Sequence, residues 1–158
     1  MIFLTVGTQF PFDRLVKAVD KMIGQNGFEE KVFAQIGCGS YRPHNFETVS
    51  TLEKEVFDEY VSRSSGIIGH AGMGTIDMAL GNHKPLIVMP RLKKYGEVVN
   101  DHQLAIAHKF EQLGHILVAY TEDELAEKLG QLKLFVPKPR ENQAGAVAER
   151  IARFLDGI

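Results

Sequence analysis

The feature that most constrains the fold is a regular alternation of short apolar runs with stripes of helical period. The run from Ile2 to Val6 is rich in β-branched residues and stops at Gly7, and an apolar stripe with spacings of three and four follows it (Phe12, Leu15, Val16, Val19, Met22 and Ile23). Similar apolar runs cover 31–36, 66–69, 85–89 and 115–119, with a shorter candidate strand at 46–49. This alternation predicts one Rossmann-like α/β domain over residues 1–158, with a parallel sheet covered by helices on both faces.

The segments between these strands predict the helices. We expect the first helix to end at Gly24 and Gly27, and further helices over 52–61, 73–80 and 98–110, with a polar loop at 91–97. Thr121 and Glu124 have the spacing of a capping box, which predicts another helix start there. Near the end of the chain, apolar positions at helical spacing predict a final amphipathic helix (Ala144, Val147, Ala148, Ile151, Ala152 and Leu155).

Composition restricts the class of protein. Of the 158 residues, 44% are hydrophobic, which is too apolar for a disordered chain. Lys plus Arg is 18 and Asp plus Glu is 20, so the net charge of −2 disfavours a dedicated nucleic-acid binder. No apolar run approaches the roughly 20 residues of a membrane-spanning helix, and the single cysteine, Cys38, excludes an internal disulfide. We therefore expect a protein of the reducing cytoplasm.

Three glycine-rich loops follow predicted strands, at the edge of the sheet where such folds bind ligands. They are 7–9 (Gly7, Thr8 and Gln9), 37–40 and 69–75. The third loop has the pattern GxxGxG, which differs from the GxGxxG of dinucleotide folds, and the chain has no P-loop motif. We expect a diphosphate to bind the backbone amides of residues 72–75 (Gly72, Met73, Gly74 and Thr75), with the Thr75 hydroxyl and His70 adding hydrogen bonds. A tight strand-to-helix turn without a ligand is the alternative.

The polar run 91–103 follows the next strand and should lie on the same edge. Asp101, His102 and Gln103 offer a carboxylate, an imidazole and an amide, a set suited to sugar hydroxyls. The alternative is an exposed helix start with Asn100 or Asp101 as the N-cap. The cations of this run (Arg91, Lys93 and Lys94) either attract a phosphate or belong to a solvated loop.

Motifs for other chemistries are missing from the sequence. It contains no HExxH, no His/Cys cluster with metal-ligand spacing, no DxD and no GxSxG, so we expect no metal and no serine nucleophile. Cys38 is expected to be a small buried residue rather than a nucleophile. The acidic residues 122–124 are most simply the charged first turn of a helix.

Several motifs together resemble a known family. They are FLTVGTQ at 3–9, QIG at 35–37, HAGMGT at 70–75, KPLIVMP at 84–90 and NDHQ at 100–103. In this order they resemble the donor-binding, C-terminal half of GT-B glycosyltransferases of family 28, the group to which MurG belongs. Stand-alone versions of this half include the cytosolic catalytic subunit of the dolichol-linked GlcNAc transferase and the PssE-type subunits of exopolysaccharide and capsule synthesis. The stretch 89–103 is most similar to the PssE type.

The resemblance implies roles for individual residues. His70, Gly72, Gly74 and Thr75 match the diphosphate-contacting turn of the family, and His70 would help to stabilise the leaving group. Gln103 matches a residue that reaches the donor sugar, with Asp101 and His102 beside it. The loop of Gly7, Thr8 and Gln9 matches the one that faces the cleft between the two halves. Many relatives have a Glu at the position of Met78 that holds the ribose, and Asp77 is only a weak substitute for it because it points away on a helix.

The resemblance also implies a reaction and a partner. The chain would be the catalytic, donor-binding subunit of an inverting, metal-independent transferase that moves a sugar from a UDP-sugar to a lipid-diphosphate-linked acceptor. A membrane-anchored subunit similar to PssD would supply the acceptor side and recruit the chain to the inner face of the membrane. Apolar residues near the chain end are candidates for that contact (Ile151, Phe154 and Leu155). A nucleotide-sugar-binding or regulatory subunit without chemistry, and a self-sufficient epimerase or hydrolase, are the alternatives.

Overall fold

The computed structural model describes residues 1–26, 28, 30–140 and 152–153. Its strands are β1 (Ile2–Thr5), β2 (Val32–Gln35), β3 (Glu47–Val49), β4 (Gly66–His70), β5 (Leu86–Met89) and β6 (Leu117–Val118). Its helices are α1 (Asp13–Asn26), α2 (Lys54–Arg63), α3 (Met73–Gly81), α4 (His102–Gln112) and α5 (Glu124–Leu132), with a 3₁₀ turn at Lys93–Tyr95. All six predicted strands and the order of these elements are confirmed.

The six strands form one parallel sheet in the order β3-β2-β1-β4-β5-β6. The order reverses between β1 and β4, so the connections leave these two neighbours in opposite directions. In a doubly wound sheet this is the point where a crevice opens beyond the carboxyl ends of the strands. The register pairs Thr5 with Gly69 here, so the loops that follow these residues lie side by side.

Helices cover both faces of the sheet, as predicted. Helices α1 and α5 bury their apolar faces against one side, through residues such as Leu15, Val19 and Leu125. On the other side, α2, α3 and α4 pack with Val61, Ile76 and Ala107. Because both faces are covered, inner strands such as β1 and β5 are buried along their length and correspond to apolar runs in the sequence.

Some helix boundaries differ from the prediction. Helix α1 continues through Gly24 to the residue before Gly27, and Gly24 lies where an added Cβ would be 3.1 Å from the Asn45 amide nitrogen. Helix α4 begins at His102 and not at Val98, because 98–101 form bends. Strand β6 is shorter than the predicted 115–119.

The start of α5 also differs in detail from the predicted capping box. The Thr121 hydroxyl donates to Glu124 at 3.1 Å, but the second Glu124 oxygen accepts from the backbone N–H of Tyr120 at 2.9 Å. The carboxylate therefore holds the turn before the helix rather than the N–H of Thr121. The predicted final helix lies outside the described residues apart from 152 and 153, which are helical.

Candidate functional site: a cleft at the switch point

A cleft of about 600 Å³ opens beyond the carboxyl ends of β1 and β4. The predicted site residues that line it come from three loops and the helix starts behind them (Gly7, Thr8, Gln9, His70, Gly72, Met73, Gly74, Thr75, His102 and Gln103). Asp101 is the one predicted site residue that does not line it; its carboxylate accepts the backbone N–H of Lys93 at 2.7 Å. The volume is in the range of small-molecule sites.

His70, at the end of β4, is fixed by hydrogen bonds to both ring nitrogens. Its Nδ1 accepts the backbone N–H of Gly72 at 3.0 Å, and its Nε2 lies 3.1 Å from the Thr75 hydroxyl. Because Nδ1 is an acceptor, the proton of the neutral ring is on Nε2, which donates to Thr75. Burial, and next the positive charge of Arg91, lower the pKa of His70 to about 4. The ring is therefore uncharged at neutral pH and is a fixed dipole rather than a cation.

Two glycines leave room for this ring. A Cβ on Gly72 would lie 2.2 Å from His70 Cε1, and a Cβ on Gly7 would lie 2.8 Å from His70 Nε2. Gly7 also has a φ of +74°, which side chains other than glycine rarely adopt. The space that the His70 imidazole occupies therefore depends on glycines in two different loops.

The start of α3 offers fewer amides than the sequence predicts. The Gly72 N–H is bound to His70, and the Thr75 N–H donates to the Gly72 carbonyl at 3.1 Å. The N–H groups of Met73 and Gly74 are the first two of the helix, and no described residue accepts them. An anion at this helix start would therefore find two open amides and not four.

Arg91 is buried, which the sequence did not indicate. Its guanidinium donates to the carbonyl oxygens of Val6 at 2.8 Å and Phe10 at 2.5 Å, so it holds the loop after β1. The prediction of a solvated residue is wrong for Arg91, which is buried and lines the cleft, whereas Lys93 and Lys94 are exposed. The flanking lysines make the run look solvated, but the carbonyls that bind Arg91 come from a loop more than 80 residues earlier.

Gln103 joins the loops after β4 and β5. Its side-chain oxygen accepts the backbone N–H of Arg91 at 3.1 Å, and its nitrogen lies 3.4 Å from His70 Nδ1. The side chain is buried and lines the cleft. Gln103 therefore braces the imidazole in addition to any contact with a ligand.

His102 is exposed and has a defined tautomer. Its Nδ1 lies 2.5 Å from the side-chain oxygen of Asn100, which only accepts hydrogen bonds. Nδ1 therefore carries the proton, and the lone pair of Nε2 is left to accept a hydrogen bond. The same Asn100 oxygen accepts the His102 backbone N–H at 3.2 Å, so Asn100 supplies the cap at the start of α4.

A second arginine holds the loop after β5. Arg14 of α1 binds both carboxylate oxygens of Glu97, at 2.7 and 2.9 Å, and donates to the Pro90 carbonyl at 2.9 Å. Glu97 in turn accepts the backbone N–H of Leu92 at 2.9 Å. Such a bidentate pair fixes geometry as well as charge. Arg14 and Glu97 are 83 positions apart, so their pairing left no local signal in the sequence.

Among the described residues, the lining of the cleft includes cations and no carboxylate. Besides the predicted residues it includes two cations, Lys54 and Arg91, and an apolar group on the side of β3 and α2 (Leu52, Phe57 and Met78). Leu52, Lys54 and Phe57 were not predicted as site residues, since only the fold brings them to the cleft. Asp77, considered as a substitute ribose ligand, is paired with Arg140 and does not line the cleft.

Three further features bear on the remaining predictions. Cys38 is exposed, so the expectation of a buried cysteine is wrong. Within the described part of the chain, no three His, Cys, Asp or Glu side chains are grouped as a metal site would need. In the same residues, every helix is too short or too polar to cross a bilayer.

Comparison with known proteins gives consistent matches. Residues 1–157 match the family described as glycosyltransferase family 28 C-terminal domain. The human UDP-N-acetylglucosamine transferase subunit ALG13 is 31% identical over 155 residues, covering 92% of this chain and 13% of the human protein. The mouse protein of the same name is 32% identical over 124 residues, covering 72% of this chain and 10% of its own length. The chain therefore spans a small part of these relatives.

Solved structures share the fold. MurG of Acinetobacter baumannii superposes with a TM-score of 0.63 at 18% identity, covering 85% of this chain and 42% of MurG. An NMR structure of ALG13 superposes with a TM-score of 0.60 at 22% identity, covering 95% of this chain and 93% of the other. Each superposition extends over most of this chain.

Proposed function

The chain belongs to the glycosyltransferase family 28 C-terminal domain family, and from that premise we propose that its cleft binds the nucleoside diphosphate of a sugar donor. The observation that carries this proposal is the chemistry at the start of α3. The open amides of Met73 and Gly74 lie in a cleft whose described lining contains Arg91 and Lys54, the latter paired with Asp58, and no carboxylate. Amides at a helix start and nearby cations favour an anionic ligand.

We propose that the two ends of the donor lie on the two sides of α3. On the β3 side, Leu52, Phe57 and Met78 form an apolar wall suited to a nucleoside. On the β5 side, His102 offers a free Nε2 acceptor and Gln103 an amide, which suit sugar hydroxyls. The diphosphate then lies between them, against α3. Met78 in this wall offers no hydrogen bond to a ribose.

The residues of the chain stabilise a leaving group rather than activate a nucleophile. When the bond from the sugar to the diphosphate breaks, negative charge develops on the diphosphate, and fixed amide dipoles at α3 lower its energy. His70 contributes by holding the Gly72 amide and the Thr75 hydroxyl in place, without a charge of its own. The described lining supplies no carboxylate to act as general base. We infer that the base comes from a second subunit that closes the cleft.

We propose further that the donor is a UDP-sugar and that the acceptor is linked to a lipid diphosphate. The human and mouse relatives, whose names call them UDP-N-acetylglucosamine transferase subunits, support the donor and the two-component arrangement. The similarity of residues 89–103 to the PssE type supports a role in exopolysaccharide or capsule synthesis. On this proposal, a PssD-like membrane subunit binds the acceptor and recruits the chain to the inner face of the membrane. No metal is expected to take part.

The test is transfer of radiolabelled sugar to lipid by membranes that contain the partner subunit, with and without the purified chain. The proposal predicts labelled lipid only when both are present, and loss of label with His70→Ala. A non-catalytic, regulatory subunit would support transfer with His70→Ala as well as with the unchanged chain, which would contradict the proposal.

A further inference from the structure

We propose that Gln35 reads the nucleoside of the donor, by accepting a hydrogen bond from the ribose 2′-hydroxyl or from the ring N–H; this rests on the proposed nucleotide binding. Gln35 is the last residue of β2 and lines the cleft. It belongs to none of the glycine-rich loops, and its side chain takes no part in holding the imidazole.

The amide of Gln35 has an unused acceptor. The side chain is 3% exposed, yet its Oε1 has no hydrogen-bond partner among the described residues. Buried polar atoms in folded proteins are almost always partnered, and an exception calls for an explanation. In the described part of the chain, only one other buried side-chain atom lacks a partner, the Nε of Arg91, and it too belongs to a residue of this cleft. Unpartnered polar groups thus concentrate where a ligand would bind.

Gln35 lies on the side of the cleft that we propose for the nucleoside, and not on the side that we propose for the sugar. Gln35 is in register with Thr5 on β1 and Val49 on β3, so it lies on the β3 side of the switch point. Alternation along β2 puts its side chain on the same face as Phe33, whose ring stacks on Tyr60 of α2 at 4.1 Å. The apolar wall of Leu52 and Phe57 belongs to this side of the cleft.

An amide acceptor beside an apolar wall suits a flat ring that carries hydrogen-bond donors. A nucleoside presents apolar ring faces together with hydroxyl or ring N–H donors. No described residue binds the Oε1, so rotation of the terminal amide can present the oxygen to the cleft without breaking a bond to that part of the chain. A nucleoside bound there would donate a hydrogen bond to the Gln35 Oε1, which has no partner among the described residues of the free protein.

The test measures affinity and stability together on the full chain. We would determine by calorimetry the Kd of UDP, 2′-deoxy-UDP and 3-methyl-UDP for the unchanged chain, Gln35→Met and a control, Gln131→Met. The control changes the same residue type on the exposed face of α5, where the Gln131 side chain donates to Glu127. We expect Gln35→Met to weaken UDP binding on the order of tenfold. We also expect it to leave the melting temperature unchanged or raised, since it removes an unpartnered acceptor.

The two analogues identify which hydrogen-bond donor of UDP binds the Oε1 of Gln35. If Oε1 accepts the 2′-hydroxyl, the unchanged chain binds UDP at least fivefold more tightly than 2′-deoxy-UDP, and Gln35→Met loses that preference. If Oε1 accepts the ring N–H, the unchanged chain binds UDP at least fivefold more tightly than 3-methyl-UDP, and Gln35→Met loses that preference. Equal affinity of the unchanged chain for all three ligands would overturn the proposal, even if the variant did not fold. UDP binding by Gln35→Met within twofold of the unchanged chain would also overturn it. If the unchanged chain binds no UDP, alone or with its partner, the proposed function fails as well.

Discussion

Gly72 is related to His70 in two ways: its N–H donates to the imidazole Nδ1 at 3.0 Å, and its missing side chain leaves the space that the ring occupies. The turn and the imidazole therefore hold each other. Gly74, two residues later on α3, has no described atom within 4 Å of the place of its Cβ. These two glycines of one motif have different physical roles.

We predict opposite effects of alanine at these two glycines. Gly72→Ala displaces the imidazole and should lower both the stability and UDP affinity. Gly74→Ala should keep or raise stability by about 0.5–1 kcal/mol, since alanine is the better helix former, while its methyl group enters the cleft and weakens UDP binding. Urea unfolding and calorimetry on both variants check this. Equal losses of stability in the two variants would contradict the account.

His70→Ala should lower turnover of the complete two-subunit enzyme by roughly tenfold to a thousandfold, the typical range for losing one transition-state contact. The loss leaves the Gly72 amide and Thr75 hydroxyl without the ring that positions them. His108→Ala is the matched control, because His108 is an exposed residue of α4 outside the cleft. Unchanged turnover in His70→Ala would remove His70 from the mechanism.

The protonation of His70 makes stability depend on pH. In the unfolded chain its pKa is near 6.5, and in the folded chain burial, and then Arg91, lower the pKa to about 4. Between these values the unfolded state binds more protons, so this residue should remove about 3 kcal/mol of stability as the pH falls from 7 to 4. His70→Gln should have a smaller loss over that window. If the free energy of unfolding changed by the same amount between pH 7 and pH 4 in the unchanged chain and in His70→Gln, this prediction would be contradicted.

NMR can separate the effect of the Arg91 charge on the pKa of His70 from the effect of burial. Arg91→Met removes the charge but keeps an apolar stem, so the pKa of His70 should rise from about 4 while staying below 6.5, because burial is the larger cause. The measurement is the titration of the His70 ring proton. An unchanged titration midpoint would show that Arg91 does not act on the imidazole.

Arg91→Met should also destabilise the fold, because the Val6 and Phe10 carbonyls lose a buried donor. A lost partner of this kind costs about 1–3 kcal/mol. Lys93→Met is the control and should stay within about 0.5 kcal/mol of the unchanged chain, since Lys93 has an exposed side chain. An equally large loss of stability in Lys93→Met and Arg91→Met would contradict a specific role of Arg91.

The fold was predictable because its determinants are local. Apolar runs such as 2–6 and 85–89 mark strands whose two faces are both covered, and glycines mark where they end. The site loops followed from the same logic, since the carboxyl ends of parallel strands lie on one edge. Ten of the eleven predicted site residues line one cleft for this reason.

The details that the sequence did not reveal depend on contacts between distant residues. Arg91 looks solvated among lysines, yet it is buried by a loop that lies 81 positions earlier. Two of the four amides of 72–75 are occupied, one by a side chain and one by a carbonyl of the same turn. Whether the Gln35 acceptor finds a partner depends on the surroundings that the fold gives to this residue, and local patterns do not encode them.

The most direct test of the central claim is calorimetric binding of UDP and UDP-sugars to the chain, alone and with its partner subunit. We predict binding that is weakened by Thr75→Val and by Gly74→Ala and retained by His108→Ala. Binding that appears only with the partner would mean that the second subunit completes the site. Absence of binding under both conditions would contradict the assignment of this cleft as a nucleotide-sugar site.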